Sequence, residues 1–118
     1  MQEHIRVYIA GPLSNSNRAA KNIHEAIRVA DLVRAAGMWP FVPHLYAYWD
    51  TVFPNDINYW LEMGKVWLQQ CHAVLRLPGE SKRTSLEELW ANEFKIPVFF
   101  IESDAMEAVI HIKQHFKL

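Results

Sequence analysis

The sequence has few of the residues on which several common functional sites depend. Its 118 residues include one cysteine, Cys71, and four glycines, and 12 Lys and Arg are offset by 13 Asp and Glu to a net charge of −1. A single cysteine forms no internal disulfide and builds no Cys-based zinc site, and it favours a reducing compartment, here the cytoplasm. A nearly neutral chain has no basic field with which to bind a nucleic-acid polymer, so we expect no polymer partner.

Long apolar runs are also missing. None approaches the roughly 18 residues of a membrane span, and the first apolar stretch is interrupted at Gly11-Pro12, so we expect neither a membrane segment nor a processed leader. Four glycines leave no G-x-G-x-x-G or P-loop, and no G-x-S-x-G elbow is present, which argues against dinucleotide cradles and Ser or Cys nucleophiles. His111 and His115 are one helical turn apart without the Glu of a zincin motif, so no metal site is predicted.

The sequence does contain a large apolar fraction, 51%, and five Trp, four Tyr and six Phe. This predicts one domain over residues 1–118 with a core that needs no disulfide or metal. Five Trp suit core packing or subunit packing, and we expect a homo-oligomer with tryptophans such as Trp60 and Trp67 at the contact.

Strand-like and helix-like segments alternate along the chain. The predicted strands cover residues 5–10, 39–43, 73–77 and 96–101. The predicted helices cover residues 18–36, 56–70, about 86–94 and 104–116, and the segments 44–55 and 78–85 are predicted loops. The proline-flanked second strand is an edge strand, whereas the last two strands are continuously apolar and predict burial on both faces. This order predicts an α/β fold, a flavodoxin-like three-layer sandwich with a four- to five-stranded parallel sheet and the first strand central.

Ligands of such sheets bind beyond the carboxyl ends of the strands that flank the switch point. That rule places residues 11–18 beside residues 78–88. The first loop offers the hydroxyls of Ser14 and Ser16 and the guanidinium of Arg18 to a phosphate or sugar, although helix capping explains the same residues.

Two acidic residues, Glu87 and Glu88, are predicted to open the third helix. The positive end of the helix dipole favours an ionised carboxylate, which suits a nucleophile. On pattern alone capping is the preferred explanation, because Thr84-Ser-Leu-Glu87 and Ser85-Leu-Glu-Glu88 both have capping-box spacing. Tyr8, near the end of the central strand, is either a core residue or one whose hydroxyl needs a partner.

Several short motifs carry a resemblance to a known family. They are Val7-Tyr-Ile-Ala-Gly-Pro12, Asn22 with Ala26, Pro40-Phe-Val-Pro-His-Leu45, Trp67-Leu-Gln-Gln-Cys71, Leu77-Pro-Gly-Glu-Ser81, and Glu87 four residues before Ala91. Together they resemble the nucleoside 2-deoxyribosyltransferase superfamily over most of the chain. The likeness is greatest to its small uncharacterised bacterial and phage branch, and the nucleoside 5′-monophosphate N-glycosidases are better-understood relatives.

The resemblance implies a flavodoxin-like fold, homo-oligomers whose subunits help to complete each other's sites, and a Glu that attacks the anomeric carbon of a sugar. Carried over by motif, that Glu is Glu87, and Tyr8 is the tyrosine that orients it. Ser81 falls where the monophosphate hydrolases keep a phosphate-binding Ser. The predicted substrate-binding residues are Gly11, Ser14, Ser16, His44, Ser81 and Lys82.

The chain departs from the family pattern at three positions. Gly64 stands where relatives carry an Asp that serves the leaving base, and His72 replaces an Asp after the cysteine. Arg83 replaces a Gly before Glu87, and its long cation could fill the pocket or bind a phosphate. Candidate substitutes for the missing Asp are Glu62, Glu88 and His44.

Three functional hypotheses follow. The first is an enzyme that acts on the N-glycosidic bond of a (deoxy)nucleoside or its 5′-monophosphate and needs no cofactor. The second is a catalytically degenerate nucleotide-binding or assembly module of the same fold, which Gly64 favours. The third is a flavodoxin-like electron carrier, which would bind FMN and be yellow. The first two predict a small-molecule nucleoside or nucleotide as the partner.

Overall fold

A computed structural model of the chain describes residues 4–13 and 19–118. Within these residues four strands form one sheet, in which all neighbouring strands are parallel. The strands are β1 (Arg6–Ala10), β2 (Trp39–Phe41), β3 (Ala73–Arg76) and β4 (Val98–Phe100). The helices are α1 (Ala19–Ala35), a 3₁₀ helix (Pro43–Leu45), α2 (Tyr46–Val52), α3 (Ile57–Gln69), α4 (Lys82–Glu93) and α5 (Ala105–His115).

The strand order is β2-β1-β3-β4, so β1 is central as the sequence predicts. Side chains of a strand alternate between its two faces, and those of β1 enter two separate cores. Val7 and Ile9 pack with apolar residues of α1 and α5, whereas Tyr8 and Ala10 pack with residues of α3 and α4. Helices therefore cover both faces of the sheet, and the predicted α/β, flavodoxin-like three-layer fold is confirmed.

The last strand differs from its prediction. β3 is buried along its whole length, but β4 is only partly buried and Phe100 is exposed. In the described part of the chain β4 pairs with β3 alone and forms an edge of the sheet, which is why an apolar sequence did not lead to full burial. None of the helices described here is both long enough and apolar enough to cross a membrane.

The segment 44–55 is mostly helical, so its prediction as a loop was wrong. The 3₁₀ helix and α2 together run from Pro43 to Val52. Tyr46 stacks on Trp60 of α3 with 5.4 Å between the ring centroids, and Trp60 Nε1 donates a 2.7 Å hydrogen bond to Asp50 Oδ1. The residues of α2 have no clear helical period of their own. These contacts with α3 explain why the segment is nevertheless helical.

The start of α4 also differs from its prediction. The segment 78–85 was predicted to be a loop, but α4 begins at Lys82, and Ser81 is its N-cap, with Ser81 Oγ accepting a 3.0 Å hydrogen bond from the Thr84 amide. Glu87 consequently lies in the second turn and is fully buried. The predictions that Glu87 opens the helix, benefits from its dipole or caps it were therefore wrong, because those effects are confined to the first turn.

Candidate active site

Two chain segments meet at the carboxyl edge of the sheet, immediately after β1 and β3. The Leu77 amide donates to the Ala10 carbonyl at 2.8 Å, and Gly11 follows at once. A Cβ atom on Gly11 would lie 2.9 Å from Cβ and Cδ1 of Leu77, which is closer than side-chain packing tolerates. Glycine at this position therefore allows the two segments to touch.

The central pair of the site consists of Tyr8 on β1 and Glu87 on α4. The Tyr8 hydroxyl donates a 2.7 Å hydrogen bond to Glu87 Oε2, and the Gly11 amide donates a 3.3 Å bond to Oε1. Both side chains are buried. The structure thus brings together the two residues that the resemblance implies as the nucleophile and its orienting tyrosine, and donors hold both carboxylate oxygens.

A cation lies against this pair. Arg83 precedes Glu87 by one helical turn, and its Nε is 3.6 Å from Glu87 Oε2. The Arg83 side chain is only 15% exposed, and its buried Nε forms no hydrogen bond within the described residues. Arg83 therefore covers the carboxylate as an ion pair whose length exceeds that of a good hydrogen bond.

The electrostatics of the pair follow from competition between burial and these neighbours. Burial raises the pKa of Glu87 to about 7, while Arg83 and the hydrogen bonds from Tyr8 and Gly11 oppose the rise. Burial and the Glu87 charge raise the pKa of Tyr8 well above its usual range. Tyr8 thus remains a neutral donor, and Glu87 changes charge near neutral pH, which is a property of many catalytic carboxyl groups.

A cavity of about 450 Å³ lies beside α4. Its lining residues are Leu13, Ile57, Leu61, Ser81, Lys82, Arg83 and Leu86. Two predicted substrate-binding residues, Ser81 and Lys82, are therefore in its wall, whereas Glu87 is not. Ser14 and Ser16, predicted for the same function, lie outside the residues that the structure describes.

His44 is fully buried in the 3₁₀ helix, although the sequence predicted an exposed loop there. Burial and the Arg83 charge lower the pKa of His44 to about 4, while the backbone of Gly11 and Pro12 opposes this shift. Neither ring nitrogen makes a hydrogen bond of good geometry with the described residues. At neutral pH the imidazole is uncharged, and so it is not a ready source of a proton for a leaving group.

Gly64 lies directly beside the Tyr8 hydroxyl. A Cβ atom on this buried residue of α3 would be 3.3 Å from the Tyr8 oxygen, so a side chain there would crowd the hydroxyl that donates to Glu87. The candidates for replacing the missing Asp are positioned differently. Glu88 binds Arg76 at 2.9 Å, Glu62 is exposed on α3, and His44 is buried and neutral.

Other chemistry has less support. Burial raises the pKa of the Cys71 thiol to about 11, which leaves it protonated and a weak nucleophile. Across residues 4–13 and 19–118, no three His, Cys, Asp or Glu side chains are grouped closely enough to hold a metal ion. A second cavity, of about 260 Å³, lies between β4 and α5 and shares no lining residue with the first.

Sequence reasoning missed one residue that shapes the site. Arg76 is a buried cation at the end of β3, where its Nε binds Glu88 and its Nη2 binds Glu80 at 3.0 Å. Its Nη1 also donates to the Leu77 carbonyl at 2.6 Å. Arg76 thereby ties α4 to the sheet and to the segment after β3. The available signal was a single Arg inside the otherwise apolar run Ala73-Val-Leu-Arg-Leu77.

This fold is shared with solved structures of 2-deoxyribosyltransferases. The 2-deoxyribosyltransferase from Leishmania mexicana is 18% identical with a TM-score of 0.59, and the match covers 85% of this chain and 65% of that chain. The 2-deoxyribosyltransferase from Bacillus psychrosaccharolyticus is 14% identical with a TM-score of 0.53, covering 80% of this chain and 70% of the other. The present chain thus spans 65% of the length of the Leishmania structure. At these identities the likeness establishes the fold.

At the level of sequence families, the chain belongs to the family described as domain of unknown function DUF7768, whose model matches residues 5–101. The matched range includes Tyr8, Arg83 and Glu87. No curated protein matches the chain.

Proposed function

We propose that this protein cleaves or transfers the N-glycosidic bond of a (deoxy)nucleoside or its 5′-monophosphate, with Glu87 as the nucleophile. The observation that carries the proposal is the buried 2.7 Å hydrogen bond from Tyr8 to Glu87. A carboxylate held through both oxygens is oriented for attack on a single carbon atom. The solved structures of the same fold, described as 2-deoxyribosyltransferases, support the choice of this bond.

The proposed reaction is a double displacement. A Glu87 oxygen attacks C1′ while the C1′–N bond breaks, and the electron pair of that bond leaves with the base, which takes a proton from solvent. The sugar is then held as an ester on Glu87. Water attacks C1′, loses a proton and restores the Glu87 carboxylate, or a second base accepts the sugar instead. Two displacements retain the configuration at C1′, as in retaining glycosidases.

The other predicted residues either bind the substrate or position Glu87 in this proposal. Ser81 and Lys82, together with Ser14 and Ser16, bind phosphate or sugar hydroxyls, and the Gly11 amide and Tyr8 position Glu87. His44, the remaining predicted substrate-binding residue, is uncharged at neutral pH and would bind the substrate as a neutral imidazole. The single cysteine, the partly buried Cys71, fits action in the cytoplasm, and the exposed side chains of Trp39, Trp49 and Trp67 fit a homo-oligomer.

A specific observation favours a second candidate, a nucleotide-binding or assembly module without turnover. Gly64 supplies no acid for the leaving base, and Arg83 covers a Glu87 that has no solvent-exposed surface. Both features reduce the reactivity of Glu87, so a protein with this pocket could bind a nucleotide and leave it intact.

Incubation with a panel of deoxynucleosides and their 5′-monophosphates, with free base followed by chromatography, tests the proposal. We expect base release by the wild type and at least a roughly 100-fold lower rate for Glu87→Gln, since the amide keeps the shape but cannot attack C1′. The matched control is Glu93→Gln, which neutralises an exposed carboxylate at the end of the same helix and should retain full activity.

Two outcomes would contradict this function. Equal rates for the wild type and Glu87→Gln would remove Glu87 as the nucleophile. Absence of base release from every compound, together with binding of a monophosphate by calorimetry, would support the binding module.

A further inference from the structure

Arg83 contacts both the cavity beside α4 and the Glu87 carboxylate, although Glu87 is not part of the cavity wall. It lines the 450 Å³ cavity beside α4, and its Nε lies 3.6 Å from Glu87. Glu87 itself is fully buried and is absent from the cavity wall among the described residues. A ligand in the cavity therefore meets Arg83 before it meets the carboxylate.

The cavity wall has a definite charge character. Its polar side chains are Ser81, Lys82 and Arg83, and no carboxylate of the described residues is part of the wall. The remaining side chains are those of three Leu and one Ile. Two cations on an apolar background suit a ligand that combines an anionic group with an apolar part.

The hydrogen bonding of Arg83 is incomplete, in contrast to that of Arg76. All three guanidinium nitrogens of Arg76 bind an acceptor at 3.0 Å or less. Arg83 Nε is buried without a hydrogen-bond partner among the described residues, and its ion pair with Glu87 is long. An unsatisfied buried donor is unfavourable, so Arg83 gains more from a phosphate that accepts two hydrogen bonds than a fully paired arginine would.

We propose that Arg83 is an exchangeable cover of Glu87 that determines specificity: it pairs with Glu87 in the free protein and moves to the phosphate of a bound nucleotide, which uncovers the carboxylate. This inference rests on the proposed function and adds the choice of substrate. A nucleoside without phosphate gives Arg83 no alternative partner, so Glu87 stays covered. Phosphate binding and uncovering are then coupled, and such couplings are typically 5- to 150-fold.

The coupling can be measured without turnover through the titration of the Glu87 carboxyl carbon by NMR. Arg83 holds the pKa of Glu87 lower than burial alone would, so Arg83→Gln should raise that pKa. Adding 2-deoxyribose 5-phosphate to the wild type should raise it as well, because Arg83 leaves Glu87. The same probe should shift the pKa much less in Arg83→Gln, and 2-deoxyribose should not shift it in either protein.

Two control variants separate uncovering from binding. Lys82→Gln removes the other cation of the cavity wall, so it should weaken binding of the phosphate probe and leave the pKa of Glu87 in the free protein unchanged. Arg28→Gln breaks an exposed Arg–Glu pair on α1 and should change neither quantity. An equal probe-induced pKa shift in the wild type and Arg83→Gln would overturn the proposal.

In activity assays at a pH above the Glu87 pKa of the phosphate-bound protein, where the uncovered carboxylate is ionised and able to attack C1′, the ratio of kcat/KM for a monophosphate to that for its nucleoside should fall roughly 5- to 150-fold in Arg83→Gln. Arg83→Lys preserves the charge but not the two-pronged hydrogen bonding, so an intermediate ratio is expected, and an unchanged ratio in Arg83→Lys and Arg83→Gln overturns the proposal. The two proposals fail separately. The NMR result without any base release supports the exchange and removes catalysis, whereas base release with no probe-induced shift supports catalysis and removes the exchange.

Discussion

At Glu87, burial competes with three favourable neighbours. Arg83, the Tyr8 hydroxyl and the Gly11 amide all favour the ionised carboxylate, yet the pKa rises to about 7 because the side chain is fully removed from water. Burial is therefore the larger effect, and the folded protein binds the Glu87 proton more tightly than the unfolded chain does. Ionisation of Glu87 near neutral pH therefore lowers the free energy of unfolding of the protein.

We predict that Glu87→Gln becomes progressively more stable than the wild type as the pH rises from about 4.5 to about 7. Below 4.5 the carboxyl is protonated in both the folded and unfolded states. Between the two values the unfolded chain releases its proton first, so the free energy of unfolding of the wild type falls, by up to roughly 3 kcal/mol, and the loss is constant above 7. Urea unfolding of both proteins across this range measures the difference.

His44 makes this comparison necessary, because its effect has the opposite sign. Its pKa is lowered to about 4, so it adds stability that increases between pH 4 and 6.5 in both proteins. The contribution of His44 cancels in the difference between the wild type and Glu87→Gln. A difference that does not change with pH would show that the Glu87 pKa is normal.

Among the elements, α4 contributes most to the site, and its first turn determines its position. Ser81 Oγ accepts a 3.0 Å hydrogen bond from the Thr84 amide and forms a 2.7 Å hydrogen bond with the Thr84 hydroxyl. One turn further, Arg76 holds Glu88 against the end of β3. Because Glu87 lies between these two anchors in sequence, the cap and the Arg76 contacts together determine where its carboxylate points.

We predict that Ser81→Ala lowers the free energy of unfolding by about 1 kcal/mol, the usual effect of removing an N-cap. Asp104→Ala is the matched control. Asp104 caps α5 by accepting a hydrogen bond from the Met106 amide, so its removal should have a similar effect on stability. Only Ser81→Ala should also raise the KM for a nucleoside monophosphate, because Ser81 lines the cavity. Chemical denaturation and steady-state kinetics measure the two effects, and an equal KM change in both variants would contradict a binding function for Ser81.

At the scale of the whole molecule, many aromatic side chains remain on the surface. Trp60 and Trp90 are buried, but Trp39, Trp49 and Trp67 are about half exposed or more. Tyr48 and Phe53 are exposed near Trp49 in sequence, at α2 and its end. An unusual number of exposed aromatics often marks a surface that meets another protein chain.

We therefore predict a homo-oligomer in which Trp67 is at the contact and Trp60 is not. Sedimentation at micromolar concentration should show a species larger than one chain, and Trp67→Ser should weaken association roughly tenfold or more, as expected for a tryptophan at the centre of an interface. Ile110→Ser, on the exposed side of α5, is the control for removing surface apolar area. A monomeric wild type under these conditions would contradict the prediction.

Much of the fold could be predicted from local sequence because its signals are local. The period of the apolar residues and the turn at Gly11-Pro12 located β1, and alternation of strands and helices fixed a parallel sheet with β1 central. The helix of residues 46–52 escaped prediction because its stability comes from Tyr46 and Trp60, which are 14 residues apart and meet only when α3 packs beside α2.

The candidate site was also predictable from the sequence only in part. The family resemblance carried by short sequence motifs singled out Tyr8 and Glu87, whereas the residue pattern by itself favoured a helix cap for Glu87 and core packing for Tyr8. Only the tertiary structure decided that Glu87 lies in the second turn of α4, fully buried and in contact with Arg83, and that Gly64 lies beside the Tyr8 hydroxyl. The physical reason is that burial and ion pairing depend on the packing of α3 and α4 against the sheet, and no local run of residues encodes that packing.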